Sequence, residues 1–139
     1  MLRGQQRQWR VRDSNRLLLF FMNELAGAAH ISLEGEVPPT ILKVPGASGM
    51  ETEILKRGTI VPVQDFVILP LEPATVPEIV RGIGGTIPRG LLHIQIEKGG
   101  KLAFAAYDNF HPECTYFGEA ISAEFIDRLI ANKCISSMI

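Results

Sequence analysis

Cysteine is scarce. Cys114 and Cys134 are the two in the chain, too few for a disulfide framework, and in a reducing compartment they are expected to be free thiols. Long apolar runs are missing as well: the longest, Leu17 to Met22, ends at Asn23 and Glu24, far short of the ~20 residues that cross a bilayer. No excess of one charge exists, because 14 basic and 15 acidic side chains leave a formal net charge of -1. Neither disorder nor a fibrous repeat fits a chain with 46% hydrophobic and 21% charged residues, 13 Gly and 9 Pro, and at 139 residues a metal or disulfide staple is not required for folding. A single domain spanning 1–139 is expected, with no internal repeat or linker.

The balanced charge hides an asymmetry. Arg3, Arg7, Arg10, Arg12 and Arg16 crowd the first sixteen residues against Asp13 alone. A basic arm of this kind carrying Trp9 could meet nucleic acid. Gln8 to Arg12, however, alternates apolar and basic residues as a strand does, with Trp9 and Val11 inward and the arginines in water, so nucleic acid is not the favoured partner. A secretory signal would place its apolar stretch close behind the first charge, and an acid-poor mitochondrial presequence would lack Asp13. The expectation is a soluble, cytoplasmic chain with no membrane partner.

Periodicity supplies an element order. Asp13 or Ser14 caps a helix whose apolar stripe is Leu17, Leu18, Phe21, Met22, Leu25, Ala28 and Ala29. Leu19 and Phe20 lie off that stripe, which predicts either near-complete enclosure or a contact surface. His30 to Glu36 alternates as a strand, with Glu34 and Glu36 on a solvated side. Val37 to Gly49 carries Pro38, Pro39, Pro45, Gly46 and Gly49 and reads as an irregular loop. Met50 to Arg57 is expected as a short helix ended by Gly58, and Phe66 to Leu71 as a buried strand that Pro70 places at an edge. Thr75 caps a helix with Val76, Ile79, Val80 and Ile83 inward, ended by Gly82, Gly84 and Gly85; those glycines follow a helix and open none, unlike a phosphate-binding loop.

Gly99 and Gly100 between Lys98 and Lys101 predict a tight hairpin from Leu91 to Asp108. A regular register puts Leu92, Ile94, Ile96, Ala103, Ala105 and Tyr107 on the core face, and His93, Gln95, Glu97, Leu102, Phe104, Ala106 and Asp108 on the other. Ser122 caps a last helix with Ile126, Leu129, Ile130 and Cys134 inward. The fold class is therefore α+β: an antiparallel or mixed sheet of about five strands with helices mostly on one face.

Reactive side chains concentrate in Tyr107 to Tyr116, which follows a strand, a common mounting for sites. Tyr107, Asp108, Phe110, His111, Glu113, Cys114 and Tyr116, joined by His93 from the neighbouring strand, form the ligand-binding candidates. His93, Asp108, His111 and Glu113 are the weak candidates for a divalent metal, since imidazole and carboxylate suit one, but no His-x-x-x-His or Cys-x-x-Cys spacing supports it. Without a site, Asp108 and Asn109 would bond their own turn, His111 would satisfy backbone groups and Glu113 would be solvated. Cys114 with a histidine base could be a nucleophile. Gly46-Ala47-Ser48-Gly49 falls one residue short of a nucleophile elbow. No catalytic motif survives this inspection and no cofactor is implied. The leading reading is a noncatalytic binding or protein-interaction module, regulatory or inhibitory, that meets a protein partner or a second copy of itself, with a contact surface hinted at by Leu19 and Phe20 of the first helix and by the proline-rich loop. The alternatives are a small metal-assisted or cysteine-dependent enzyme around Asp108 to Cys114, and a small-ligand protein with Tyr107, Phe110, Tyr116 and Phe117 as aromatic walls.

Overall fold

The structure, a computed structural model, describes residues 9–137; Arg3 and Arg7 of the basic arm lie outside them. The strands are β1 (Trp9–Val11), β2 (Ala29–Gly35), β3 (Asp65–Leu71), β4 (Leu91–Lys98), β5 (Lys101–Ala106), β6 (Thr115–Phe117) and β7 (Ile135–Ser137). The helices are α1 (Ser14–Leu25), α2 (Val76–Gly82) and α3 (Ala123–Ala131), with 3-10 turns at Pro39–Lys43 and Pro112–Cys114. Five strands form an antiparallel sheet in the order β3-β2-β4-β5-β6, and β1 pairs with β7 in a separate ribbon. The α+β class and the antiparallel sheet are as the pattern predicts. Among the described residues no helix is long and apolar enough to cross a membrane.

Side-chain alternation splits the sheet into two unlike faces. Ile31 and Leu33 of β2, Val67 and Leu69 of β3, and Ile94 and Ile96 of β4 pack in one core with residues of α1, α2 and α3. The helices thus cover one face. At its centre the Phe21 ring of α1 stacks on Phe104 at 4.3 Å and meets Phe117 and Phe125 at 5.0 Å each. Such pairs add about 0.5–1.5 kcal/mol each beyond the area they bury. Asp13 caps α1 by accepting from the Arg16 amide at 3.0 Å, and Ser122 caps α3 by accepting from Phe125 at 3.0 Å.

The opposite face is covered by chain rather than helix. Residues 49–64 cross it with Leu55 buried against Phe66 and Ile68. Met50 to Arg57 is not helical. Its polar backbone is spent elsewhere: the Lys56 carbonyl accepts from Gln95 at 2.8 Å, and the amides of Gly58 and Thr59 go to Glu34. Tertiary partners, Gln95 as donor and Glu34 as acceptor, replace the bonds a helix would make.

Four further expectations are corrected. The hairpin turns at Gly99 and Gly100 with φ of 64° and 77°, but a bulge after Ile96 pairs Ile96 with Phe104 and Ile94 with Ala106. One extra residue on β5 therefore puts Phe104 and Ala106 on the helix-covered face and sends Tyr107 to the other. Gln95 is 4% exposed rather than solvated, and Glu34 only 1%. In α3 the inward residues are Phe125 and Leu129, with Ile130 at 42% exposure on the outside. Thr75 stands at the start of α2, yet its hydroxyl donates to the Pro70 carbonyl at 2.7 Å instead of capping the helix.

Candidate functional site

The covered polar face holds a connected polar network. Glu34 lies near the end of β2, which runs between β3 and β4, and directly opposite His93 of β4. Its carboxylate accepts from the Gly58 amide at 2.7 Å through Oε1 and from the Thr59 amide at 3.1 Å through Oε2. A carboxylate taken out of water costs several kcal/mol, and hydrogen bonds to charged groups return about 1.5–3 kcal/mol each. The two bonds therefore explain both how Glu34 tolerates burial and why 49–64 stays down. Next along the strands, the Gln95 amide donates to Ser32 Oγ at 3.0 Å and accepts from the Tyr107 hydroxyl at 3.0 Å. Burial, and secondarily the Glu34 charge, pushes the Tyr107 phenol above its ordinary pKa.

His93 is held at both ring nitrogens. The Asp108 amide donates to Nδ1 at 3.1 Å, and Nε2 lies 2.7 Å from Thr59 Oγ1. Neutral imidazole has one donor and one acceptor nitrogen. With Nδ1 accepting, Nε2 carries the proton and donates to Thr59. His93 therefore cannot take the Thr59 proton in this arrangement, and the pair is a clamp rather than a nucleophile with its base.

The turn that delivers the Asp108 amide is strained. Asp108, Asn109 and Phe110 follow one another at φ of 54°, 57° and 64°, a conformation that Asp and Asn tolerate but that costs a bulky residue about 1–2 kcal/mol. The surroundings over-determine it. Asn109 N donates to the Leu92 carbonyl, His111 N to Tyr107 and Tyr107 N to Cys114, while Phe110 is buried in the helix-side core.

The predicted site residues accordingly separate. His93 and Tyr107 enter the polar network, and Asp108 joins it through its main chain with its side chain exposed. Phe110 and Phe117 are core residues. His111 Nδ1 accepts from the Glu113 amide at 3.1 Å at the start of the 3-10 turn, and Glu113 is exposed. Cys114 is a half-buried free thiol. Tyr116 lines a concavity with Lys98, Lys101 and Leu102 at the hairpin end. Among the described residues, no three His, Cys, Asp or Glu side chains are grouped so as to hold a metal ion. The aromatic walls foreseen for a ligand pocket do not face one space.

Glu34, Ser32, Gln95 and Thr59 were not among the expected site residues. Ser32, Glu34, His93 and Gln95 all lie on one side of adjacent strands, but the signal was available only once β2 and β4 were known to be neighbours.

Beyond the buried Leu55, the covering segment turns apolar side chains outward. Ile60, Val61 and Val63 are 76%, 86% and 71% exposed, and Met50 and Leu42 are exposed nearby in sequence. No family model matches the chain, and comparison with curated proteins and with solved structures finds no match in either.

Proposed function

We propose that the chain is a noncatalytic protein-binding module whose recognition surface is the apolar stretch Ile60 to Val63. The observation that carries this reading is the exposure of Ile60, Val61 and Val63 at 71–86% on a segment whose base is fastened by a buried carboxylate. Scattered surface aliphatics need no explanation, but adjacent ones on an anchored segment mark a contact site. Covering one such side chain contributes about 1.5–3 kcal/mol. Three of them supply about 4.5–9 kcal/mol, which after an association cost of about 4 kcal/mol or more leaves a weak complex by themselves, so a micromolar partner adds contacts around them. The alternatives lose support on the same geometry: His93 is clamped in the wrong tautomer to act as base toward Thr59, and Cys114 has no imidazole hydrogen-bonded to it among the described residues.

Ile60→Ser, Val61→Ser and Val63→Ser combined leave the fold intact, since none of these residues is buried. In gentle extracts of the cells that make it, the wild-type chain elutes in size-exclusion chromatography as part of a larger complex and the triple variant as a free chain. Identical elution of the two would overturn the proposal.

A further inference from the structure

The chain carries both a projecting apolar turn and an apolar hollow that could receive one. The turn is Ile60 to Val63, and its base is closed. Arg57 bonds the Gln64 carbonyl, the Gln64 side-chain amide donates to the Pro62 carbonyl at 3.2 Å, and the Thr59 amide goes to Glu34. Ile60, Val61 and Val63 are therefore presented in a fixed shape, which lowers the ordering cost of covering them.

The hollow lies between α1 and α2 and has a volume of about 720 Å³. Leu19 of α1 and Val76, Pro77 and Val80 of α2 supply its apolar lining, while Gly84 and Gly85 line it without side chains. Leu19, which stands off the buried stripe of α1, stays 40% exposed there. The turn of the same molecule does not reach it, since residues 49–64 cross the sheet face opposite the helices. Charge is matched as well as shape. Arg81 is the one charged residue lining the hollow, and Asp65 follows the turn two residues after Val63. Both are exposed, and neither side chain has a hydrogen-bond or ion partner among the described residues.

We infer that the hollow between α1 and α2 receives the Ile60 to Val63 turn of a second copy of this chain, with Asp65 of one copy set toward Arg81 of the other. The aliphatic side chains supply the affinity, and the exposed ion pair adds little to it but fixes the orientation. Turn and hollow lie on opposite sides of one chain, so two copies cannot exchange both contacts at once. The association is head to tail, and it closes into a ring or extends as an open chain. With a handful of aliphatic side chains covered it is weak, on the order of 100 µM, and is favoured where the chain is concentrated.

The inference rests on the protein-binding reading, and its test separates the two. Sedimentation equilibrium of the full chain, run from about 10 to 500 µM, should show a mass rising above that of the monomer. Leu19→Lys spoils the hollow and Val61→Lys the turn; both positions are exposed, so the fold is kept, and each variant alone should stay monomeric. Mixed in equal amounts, the two should form a dimer and nothing larger, because one copy keeps its turn and the other its hollow. Arg81→Glu and Asp65→Lys should each weaken wild-type association about two- to fivefold, and both changes in one chain should restore it. Wild type that remains monomeric at about 500 µM overturns the second copy as occupant, and the binding module still stands if the chain elutes from extracts in a larger complex. Association that survives in either lysine variant alone, or a mixture that stays monomeric while wild type associates, overturns the inference too.

Discussion

Replacing Glu34 by alanine removes the acceptor for two main-chain amides in a position only 1% exposed. Left buried and unpaired, the amides of Gly58 and Thr59 would cost about 1–3 kcal/mol each. Against this stands the relief from no longer desolvating a carboxylate, itself several kcal/mol. The segment also has an escape: it can lift and give its amides to water, at the cost of exposing Leu55, about 2 kcal/mol, and breaking the bond between Gln95 and the Lys56 carbonyl, about 1 kcal/mol. These magnitudes predict a modest net destabilisation of about 1–3 kcal/mol, expressed locally. Hydrogen exchange followed by NMR should show protection at Gly58 and Thr59 falling by about two orders of magnitude, whereas Leu69 and Ile96 in the sheet fall only with global stability. Unchanged protection at Gly58 and Thr59 in the variant would refute the claim that Glu34 fastens the segment.

Tyr107→Phe strands the Gln95 side-chain oxygen and should cost about 1–2 kcal/mol in urea unfolding at neutral pH. Because the folded-state phenol sits above its ordinary pKa, the unfolded chain ionises first. Wild-type stability from this group is therefore intact below pH ~10 and lost as pH rises through the folded value, so wild type should weaken more steeply than the variant above that pH; parallel curves would contradict it. Long-range proton–nitrogen NMR should report His93 as the Nε2–H tautomer at neutral pH, and an Nδ1–H form would reopen Thr59 as a nucleophile. Gly35→Ala would place a Cβ 2.3 Å from the Gly90 carbonyl at a φ of +134° and should abolish folding or cost more than about 3 kcal/mol, as read by thermal unfolding.

What the sequence discloses here follows the range of the forces involved. The Asp13 cap, the stripe from Leu17 to Leu25 and the Gly99–Gly100 turn depend on residues within a few positions and are found, but the stripe does not continue to Ala28 and Ala29, because the helix ends at Leu25 and Ala29 opens β2. The bulge after Ile96 is decided by Phe104 reaching Phe21, more than eighty residues earlier, and no local count could place it. Likewise alternation reveals that Glu34 and Gln95 share a polar face, but not what covers that face. Residues 49–64 do so by surrendering helical bonds to Glu34 and Gln95, so one unseen contact misled both the helix at Met50 to Arg57 and the solvated reading of the strand. In the Tyr107 to Tyr116 segment, the local role of His111 was legible, because its partner Glu113 lies two residues on, whereas the Asp108 and Asn109 amides, expected to serve their own turn, go to His93 and Leu92 on β4. The expected convergence of Asp108, His111 and Glu113 side chains with His93 is not found, since it rested on the regular register that the bulge displaces.

The central claim, that Ile60 to Val63 meets a partner, is tested most directly by placing a photo-crosslinking residue at Val61 in the cells that make the protein, with exposed Lys133 as the control position. A discrete adduct formed from position 61, missing from position 133 and lost when Val63→Asp is added, is the expected result; no adduct from position 61, or the same products from both positions, would contradict the account.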